Sequence, residues 1–410
     1  MYVNGKGRRV AITGLGAVTS IGTTAETFWS AIKRGENGIR PLKSLPLQDL
    51  YITVGGEVLD FDPRERCRTK ALQLADRYSQ YAGVAAAEAM AQSRLETPLA
   101  NGERAASIIG SGAGGLATLE SAYEDLFIHK KKATHPLTLL RTIGSSAAAH
   151  VSIEHGIKGP VFGTVSACST AAHAIGLAFQ LIRGGAIDIA VAGASEAALT
   201  YGSMRAWQAM RVLSPQGCFP FSRRRNGTSL AEGAGILVLE DMEHARNRGA
   251  DVLAELKGFG MTSDSADMVN PNIEGPSSAM QIALDDAGLA PSDIDYLNAH
   301  GTATTANDIN ETRAIKRVFG KHAENLSISS TKSMHGHCLG AGGGVEAVVC
   351  VQALREGFVP ATIGFDEPGD ECDLDYTPNE GRNKKLVHAM SNSFAFGGLN
   401  AVLVFGSGAG

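Results

Sequence analysis

The sequence predicts an α/β protein built from two similar halves. Short apolar runs rich in β-branched residues alternate with alanine-rich stretches at helical spacing, a rhythm typical of buried sheets covered by helices. The parts 1–252 and 253–410 both follow this rhythm, and each carries a polar, reactive-looking motif near its middle. Neither a low-complexity segment nor a long charged linker separates them, so we expect the two halves to pack closely.

The predicted elements can be placed in chain order. We expect buried strands at the apolar runs that start at Val10, Ala106, Ile187, Ala234, Asp295 and Ala401. Good helix formers dominate the stretches 85–91, 171–183 and 278–287. Gly184 and Gly288 follow the second and third of these stretches and are expected to end the helices.

The first strand is followed by Gly14 and Gly16, a pattern that suggests the opening of a dinucleotide-binding turn. Thr19 stands where the third glycine of that pattern is needed, and no acidic residue closes a second strand about 20 positions later. A structural turn is therefore the better interpretation, and we expect no cofactor here.

Composition excludes several classes of protein. The formal charge of −5 and the pI near 6.1 give no general attraction to nucleic acid or to an anionic membrane, so a basic partner site has to be local. No apolar run reaches the roughly 18 residues of a membrane span, and the first residues lack the apolar stretch of a signal peptide, so we expect a cytoplasmic protein. The six cysteines are scattered without a C-x-x-C pair, which predicts neither a disulfide framework nor a metal site.

Cys168 is the first candidate for chemistry. An extended stretch runs into an alanine-rich helix at this residue, and small residues flank it on both sides. A thiol at the start of a helix faces unsatisfied N–H groups and the positive end of the helix dipole, so we expect a lowered pKa and a reactive thiolate. The alternative is a buried cysteine in a strand-to-helix turn.

Two further segments carry histidines among glycines and hydroxyls. His300 follows an apolar strand, as at a strand end that opens into a site. In the segment 329–346, Lys332, two histidines and Glu346 surround what we interpret as a glycine-rich turn. Each histidine alone could be structural. With Cys168 they supply a nucleophile, imidazoles that polarise a carbonyl oxygen, and a fixed charge pair, which together suit thioester chemistry.

The segment 391–400 is an aromatic loop with glycine hinges, and it forms either the wall of a site or a turn in the core. These four segments, in this order, resemble the β-ketoacyl-acyl carrier protein synthases, the elongating Cys-His-His branch of the thiolase superfamily. The resemblance runs from about Val10 to Phe405. It implies the five-layered α/β/α/β/α thiolase fold, with an active site between two similar halves and usually a homodimer.

The resemblance also implies an activity and residue roles. The activity is the decarboxylative Claisen condensation of an acyl thioester with malonyl-acyl carrier protein. It needs no cofactor, because the substrates are carried on the phosphopantetheine of acyl carrier protein. Cys168 resembles the acylated nucleophile, while His300 and His337 resemble the pair that promotes decarboxylation and stabilises the enolate. Lys332 matches the lysine that supports this pair through Glu346. The other matching positions are Thr302 and Thr304 for the pantetheine arm, Phe396 for the gate, Asp308 and Glu311 as supporting acids, and the N–H groups of Cys168 and Phe396 for the oxyanion hole.

Some positions depart from the family pattern. Thr228 replaces an aromatic residue that lines the malonyl region, and Ala395 and Leu399 replace glycine and threonine of the gate loop. These changes leave the shape of the donor pocket and the gating open. They favour a specialised branch, such as polyene, nodulation-factor or type II polyketide pathways, over a housekeeping fatty-acid enzyme.

Two rivals share the fold. A degradative thiolase uses a second cysteine near the C-terminal motif and lacks the lysine and the paired histidines, so Lys332 argues against it. A non-catalytic chain-length subunit has lost the active-site cysteine, whereas Cys168 is present here. A heterodimer with such a subunit stays as an alternative to the homodimer.

The acidic acyl carrier protein is the expected partner, and it requires a local basic patch on this negatively charged chain. Three basic clusters are candidates for docking, against the ordinary interpretation of a solvated charged face. They are Arg64, Arg66, Arg68 and Lys70; Lys130, Lys131 and Lys132; and Arg223, Arg224 and Arg225, of which Arg225 matches a basic position of the family.

Overall fold

The computed structural model describes residues 7–408, and its centre is a ten-stranded sheet. The strands of this sheet are β1 (Val10–Val18), β4 (Ala105–Gly110), β5 (Val161–Phe162), β6 (Ile189–Glu196), β7 (Gly233–Asp241), β8 (Ala254–Ser263), β9 (Tyr296–Asn298), β10 (Ser327–Ser329), β13 (His388–Ala395) and β14 (Leu399–Ser407). Two short hairpins lie outside it, β2 (Arg40–Pro41) with β3 (Val54–Gly55), and β11 (Phe358–Val359) with β12 (Arg382–Asn383).

The sheet repeats one topology twice. Its order is β10-β9-β13-β14-β8-β1-β7-β6-β4-β5, and the two sets of five strands join where β1 and β8 pair through three residues. In the first set β5, β4 and β6 run parallel, while β7 and β1 add antiparallel. In the second set β10, β9 and β13 run parallel, while β14 and β8 add antiparallel. Both sets therefore have the same strand order and the same directions.

Helices form the other layers. They are α1 (Ala25–Lys33), α2 (Pro63–Arg66), α3 (Lys70–Gln73), α4 (Arg77–Ser93), α5 (Leu116–Tyr123), α6 (Thr138–Thr142), α7 (Ser146–His155), α8 (Thr170–Arg183), α9 (Tyr201–Ala209), α10 (Met242–Asn247), α11 (Glu274–Ala287), α12 (Thr305–Phe319), α13 (Lys332–His335) and α14 (Gly342–Glu356). Helices α8 and α14 contact each other and strands of both sets. Helices α4 and α7 cover the first set from outside, and α11, packed against α12, covers the second. The result is the five-layered α/β/α/β/α arrangement that the resemblance to the β-ketoacyl-acyl carrier protein synthases implies.

Side-chain alternation along the strands builds a separate core on each face. In β7, Leu237 and Leu239 face the central helices, whereas Ile236 and Val238 join the outer core under α4. Successive strand residues point to opposite faces, so a strand buried on both sides is apolar throughout. This burial explains why the strands appear in the sequence as continuous apolar runs.

Gly14 and Gly16 lie inside β1 and not in a turn, so that prediction is wrong. A Cβ atom at Gly16 would lie 1.8 Å from the carbonyl oxygen of Ala85 in α4. Gly260 of β8 stands in the same relation to α11, where a Cβ would lie 2.0 Å from the oxygen of Ala279. In both halves glycine lets a helix cross the sheet at close range.

The structure confirms the six predicted strands and the three predicted helices, with Gly288 at φ 66° after α11. Strands β8, β10 and β13 of the large sheet and the four short strands outside it were not predicted, and β5 lies in the stretch before Cys168 that was expected to be extended. The glycine-rich segment also differs from the expected turn, because Gly342, Gly343 and Gly344 form the first turn of α14, where they allow close packing. Among residues 7–408, every helix is too short or too polar to cross a membrane.

Candidate active site

The four predicted site segments meet between the two halves. Cys168 lies in a short 3-10 turn, Ala167–Ser169, directly before α8. The hydroxyl of Ser169 donates to the carbonyl oxygens of Ser393 and Leu399, at 2.9 and 2.7 Å. These two bonds fix the cysteine turn to the hairpin of β13 and β14. The extended stretch that runs into a helix at Cys168 is therefore confirmed.

His337 is the nearest polar neighbour of the thiol. Its Nε2 atom lies 3.1 Å from Sγ of Cys168. The backbone on both sides is fixed, because the N–H of His337 donates to Ser229 at 2.7 Å and its carbonyl accepts from Ala231 at 2.9 Å. The ring of His300 lies edge-on to that of His337, with centroids 5.5 Å apart. Two imidazoles and one thiol thus share a buried site.

His300 is positioned by the two acids that follow it on α12. The carboxylate of Glu311 accepts the N–H groups of His300 and Gly301 at 2.8 and 2.7 Å. Asp308 accepts the N–H of Ala303 at 3.2 Å and the N–H of Phe221 at 2.7 Å. Both carboxylates bind backbone and are fully buried, so they fix the loop that carries the histidine.

Lys332 and Glu346 form a fully buried ion pair. Lys332 begins α13 and Glu346 lies on α14, so the pair joins the two elements that flank His337. A buried charge is costly without a partner, and here each ion is the partner of the other. The positive charge of Lys332 also acts on both imidazoles.

Burial, assisted by Lys332, lowers the pKa of His300 and of His337 well below the usual value of 6.5. Both rings are therefore neutral at neutral pH. Burial raises the pKa of the Cys168 thiol to about 12. The lowered pKa expected from the helix start is thus wrong, because loss of water around the sulfur outweighs the nearby positive charge. The site holds a thiol beside a neutral base.

Cys168 lies where two cavities meet. The first, about 160 Å³, contains His300, His337, Thr302 and Thr304, and the segment 264–272 forms its mouth. The second, about 230 Å³, is lined mainly by small and apolar residues. Those residues are Gly112, Ala113, Leu116, Ala167, Ala198, Leu339 and Gly340, with Glu196 and Ser203 as polar members. Cys168, Trp207 and Phe396 line both cavities.

Phe396 occupies the loop between β13 and β14, so the segment 391–400 is a hairpin whose tip lines the site. Gly397 and Gly398 have φ values of 82° and 69°, which residues with a side chain rarely adopt. The N–H of Gly397 donates to Met268 at 2.9 Å, which ties the tip to the mouth of the first cavity. Ala395 and Thr228, two of the family departures, also line that cavity.

Sequence reasoning missed Glu196 and Trp207. Glu196 ends β6 fully buried, and its carboxylate accepts the N–H groups of Gly112 and Gly340 at 2.8 and 3.1 Å. A charged residue at the end of an apolar strand was the available signal. The ring of Trp207 lies 6.0 Å from that of Phe396, and only the folded chain brings these rings together.

The basic clusters lie outside both cavities. Arg64, Arg68, Lys70, Lys130, Lys131 and Lys132 are exposed, and Arg66 is half-buried with its guanidinium on Thr23. Arg225 is only 9% exposed and donates to the carbonyl oxygen of Ser222 at 3.0 Å, so it does not belong to a surface patch. Arg211, which the sequence analysis omitted, is exposed directly before Val212 of the first cavity.

Models of two families of domains match the chain. The β-ketoacyl synthase N-terminal domain matches residues 7–245, and the C-terminal domain matches residues 253–366. The chain belongs to the β-ketoacyl synthase family. It is therefore an enzyme of the acyltransferase class, and it catalyses the family's decarboxylative condensation of an acyl thioester with malonyl-acyl carrier protein. The cysteine and histidine segments come from different halves, as that family requires of a site between them.

Curated relatives cover almost the whole chain. Nodulation protein E of Rhizobium leguminosarum bv. trifolii is 47% identical over 97% of this chain and 99% of its own length. The 3-oxoacyl-[acyl-carrier-protein] synthase 2 of Staphylococcus aureus (strain COL) is 41% identical over 97% of this chain and 98% of its own length.

Solved ketosynthase structures confirm the thiolase fold. The ishigamide ketosynthase/chain length factor has a TM-score of 0.93 at 32% identity, covering 98% of this chain and 99% of that one. A type II polyketide ketosynthase bound to the hexaketide, in complex with its acyl carrier protein, has a TM-score of 0.90 at 32% identity, covering 98% of this chain and 100% of that one.

Proposed function

We propose that Cys168 accepts the acyl chain and that His300 and His337 act on both substrates, in a specialised pathway of polyene or polyketide type. The observation that carries this proposal is the 3.1 Å contact between Nε2 of His337 and Sγ of Cys168, at the point where two cavities meet. A neutral imidazole beside a protonated thiol is a general base beside its nucleophile.

In the first step, Sγ of Cys168 attacks the carbonyl carbon of the acyl thioester while its proton passes to His337. The N–H groups of Cys168 and Phe396 stabilise the oxyanion. The carbon–sulfur bond to pantetheine then breaks, and the departing thiolate takes the proton from His337. The product of this step is an acyl group on Cys168 and a free carrier thiol.

In the second step, malonyl thioester enters the first cavity and its thioester oxygen accepts hydrogen bonds from His300 and His337. The bond to the carboxylate carbon breaks, carbon dioxide leaves, and the electron pair forms an enolate that the two imidazoles stabilise. The enolate carbon attacks the acyl carbonyl on Cys168. The thiolate leaves and takes up one proton from water, which yields the 3-oxoacyl thioester and frees the cysteine.

The two cavities suit the two substrates. The second is lined by small and apolar residues, which suits an acyl chain. The first contains the hydroxyls of Thr302 and Thr304, 3.0 Å apart, which suit the polar pantetheine arm. Apart from one proton taken up from water, all atoms of the products come from the two substrates, so we propose no cofactor besides the phosphopantetheine of the carrier. We also propose a cytoplasmic location, where that carrier would be available.

The specialised pathway is supported by the relatives. The chain is 46% identical to Nodulation protein E of Rhizobium sp. (strain N33), against 41% to the 3-oxoacyl-[acyl-carrier-protein] synthase 2 of Staphylococcus aureus (strain COL). The solved neighbours include an ishigamide ketosynthase and one bound to a hexaketide. The position of Thr228 in the first cavity agrees with a modified donor site.

We propose that a second ketosynthase-like subunit, identical or related, covers the open end of the sheet at β5. This two-residue strand is terminal in the sheet order, and both of its side chains are exposed. The part of the chain before and around this strand is rich in exposed apolar side chains, and exposed apolar surface of this kind suits an interaction with another subunit. These side chains are Tyr123, Phe127, Ile128, Leu137, Leu139, Leu140, Ile143, Ile153, Val161, Phe162 and Val165.

The acylation test uses purified protein and a panel of acyl-loaded carrier proteins, followed by malonyl carrier. We expect one acyl adduct on Cys168 by peptide mass spectrometry, then release of a 3-oxoacyl carrier and carbon dioxide. The Cys168→Ala variant should lose the adduct and reduce condensation by at least about a thousandfold. An adduct on Cys218 or Cys338 would contradict the assignment.

For the carrier, we propose docking on the exposed basic residues Arg64, Arg68, Lys70 and Lys130–Lys132. Charge reversal at Arg68 and Lys131 should raise KM for carrier-bound substrate, most strongly at low salt, and leave a small free thioester unaffected. Charge reversal of exposed Arg246 on α10, which lines neither cavity, is the matched control. Equal losses with both substrates would assign these residues to the fold or the chemistry.

A further inference from the structure

The turn that carries Cys168 combines a strained backbone with an N–H group that has no acceptor. Ala167, directly before the cysteine, has a φ value of 47°, in the left-handed region that favours glycine. Among residues 7–408, no group accepts the N–H of Cys168. Strained conformations persist only where the surrounding contacts fix them. The contacts around this turn therefore have to hold its backbone without using the N–H of the cysteine.

Three polar side chains next to the cysteine provide these contacts. The N–H of Ser166 donates to Oγ1 of Thr170 at 2.9 Å, and the same hydroxyl donates to the carbonyl oxygen of Ala167 at 2.7 Å. Nδ1 of His173 lies 2.8 Å from Oγ of Ser166 and 3.1 Å from the carbonyl oxygen of Ser169. The imidazole thus connects the two residues that flank the strained residue and the cysteine.

His173 is a donor in this arrangement. A carbonyl oxygen can only accept, so Nδ1 carries the proton, donates to Ser169 and shares its N–H with the hydroxyl oxygen of Ser166. Burial lowers the pKa of His173 from 6.5, which keeps the ring neutral at neutral pH. The ring also stands edge-on to Phe259 of β8, with centroids 6.2 Å apart. Both α8 and the sheet therefore fix the position of this donor.

The corresponding turn of the second half is held in another way. Leu339–Ala341 precedes α14 and also begins with a left-handed residue, at a φ value of 46°. Its middle N–H, that of Gly340, donates to the carboxylate of Glu196 at 3.1 Å. Residues without a hydroxyl or an imidazole stand at the three positions that hold the cysteine turn, namely Cys338, Gly342 and Val345. The second half therefore holds its turn through the N–H for which the first half has no acceptor.

We propose that His173 and Ser166 are positioning residues that keep the N–H of Cys168 available for the oxyanion of acyl transfer. This inference rests on the proposed function, in which that N–H stabilises the negative oxygen of the acyl group. A carboxylate bound as in the second half would occupy the N–H that the substrate needs. The neutral imidazole holds the turn through the flanking residues instead. Without it the strained peptide group before Cys168 can rotate, and the N–H is no longer held towards the oxyanion.

Two reactions of Cys168 separate the position of its N–H from other effects. Acyl transfer from a thioester forms an oxyanion. Alkylation by iodoacetamide forms none, because Sγ displaces iodide while the thiol proton passes to His337. We expect His173→Leu to lower the maximal rate of acylation about tenfold, without changing the half-saturating thioester concentration or the rate of alkylation. Ser166→Ala should have the same effect, and the double variant should be no slower than either single variant.

A conservative replacement and a matched control complete the experiment. His173→Asn keeps an N–H donor near the position of Nδ1, so it should restore most of the acylation rate. The control is Ser277→Ala on α11, because Ser277 donates to the carbonyl oxygen of Ile273, directly before its helix, at 2.7 Å, as His173 does to Ser169. Ser277 lines neither cavity, so both rates should stay at the wild-type level.

Equal slowing of acylation and alkylation in His173→Leu would mean that the ring only supports the fold of the turn, and an unchanged acylation rate would mean that it is not needed. Either result would overturn the role of His173 while acylation of wild-type Cys168 upholds the proposed function. Ser166→Ala removes a single oxygen atom and gives the same readout if the larger change at His173 disturbs folding. A wild-type protein that is acylated on another residue would overturn both proposals.

Discussion

Helices α8 and α14 begin in the same way, one in each half of the molecule. A 3-10 turn precedes each helix, Ala167–Ser169 before α8 and Leu339–Ala341 before α14. The first residue of each turn has a left-handed backbone, with φ values of 47° and 46°. The second residue is Cys168 in one turn and Gly340 in the other.

Both turns line the second cavity, but what lies against their middle residues differs. Cys168 lies where two cavities meet, whereas a Cβ atom at Gly340 would lie 2.5 Å from the N–H nitrogen of Gly112 and 2.7 Å from Glu196. The N–H of Gly340 already donates to Glu196. The space for a side chain at Gly340 is therefore closed by a carboxylate of the first half, while the side chain of Cys168 faces both cavities.

This difference teaches that the repeated scaffold supplies two equivalent helix starts and that chemistry depends on what faces each of them. The first turn gains its base from the segment before the second turn, since His337 lies two residues before Leu339 and contacts Cys168. In the proposed reaction, one half provides the nucleophile and the other provides the base. Neither half alone contains both the cysteine and the histidine.

The largest effect is expected from His337→Ala, which removes the proposed base beside the turn of Cys168. In wild type the thiol is protonated and His337 is neutral, because their pKa values lie far above and well below neutrality. Acylation of Cys168 should then be independent of pH between about 6 and 8. In His337→Ala water has to deprotonate the thiol, so the rate should fall about 10²–10⁴-fold and rise about tenfold per pH unit.

Stopped-flow acylation with an acyl thioester at several pH values measures this profile. A flat profile in His337→Ala would show that the helix start activates the thiol in spite of burial, and it would remove the role of the second half.

A smaller effect tests whether the two halves are equivalent in packing. Gly16→Ala and Gly260→Ala each place a methyl group against a helix carbonyl oxygen, at 1.8 and 2.0 Å in the present geometry. Each should lower the free energy of unfolding by about 1–3 kcal/mol, because the helix has to move. Gly144→Ala, which has nothing within 4 Å, is the control. If urea unfolding shows a lower free energy of unfolding for only one of these two variants, the two halves are not equivalent in packing.

The features that were predicted correctly from the sequence depend on local residues, and those that were missed depend on contacts between distant segments. The strands at Val10 and Ala234 were predictable because burial on both faces makes them continuously apolar. The helix at Cys168 was predictable from small residues next to good helix formers. The resemblance to known ketosynthases placed the cysteine, lysine and histidines in one site, and the structure brings them together.

The failures depended on contacts between distant segments. Gly14 looked like a turn because the helix that crosses it lies some 75 residues later in the chain. The pKa of Cys168 was misjudged because its burial comes from segments far away in the chain, such as those around Leu50, Leu199 and Leu339. Arg225 appeared to extend an exposed basic run, yet its guanidinium contacts the backbone inside the fold. Local sequence does not report which segments cover a residue.

The smallest effect is expected from Glu196→Gln, which weakens the contact that fills the space at Gly340 in the second turn. The carboxylate of Glu196 accepts four hydrogen bonds, from the hydroxyl of Ser111 and the N–H groups of Gly112, Ala113 and Gly340. Glu196→Gln leaves one oxygen and adds an NH₂ group that cannot accept, so at least one buried donor loses its partner. The expected loss is about 1–2 kcal/mol in the free energy of unfolding. Glu324→Gln, at an exposed position, should leave the free energy of unfolding unchanged.

Since Gly112 and Gly340 line the second cavity, Glu196→Gln should also accept a wider range of acyl chains in the mass-spectrometric assay. Unchanged stability together with unchanged chain preference would mean that Glu196 does not close the second turn, and the contrast with the cysteine turn would then rest on the missing side chain at Gly340 alone.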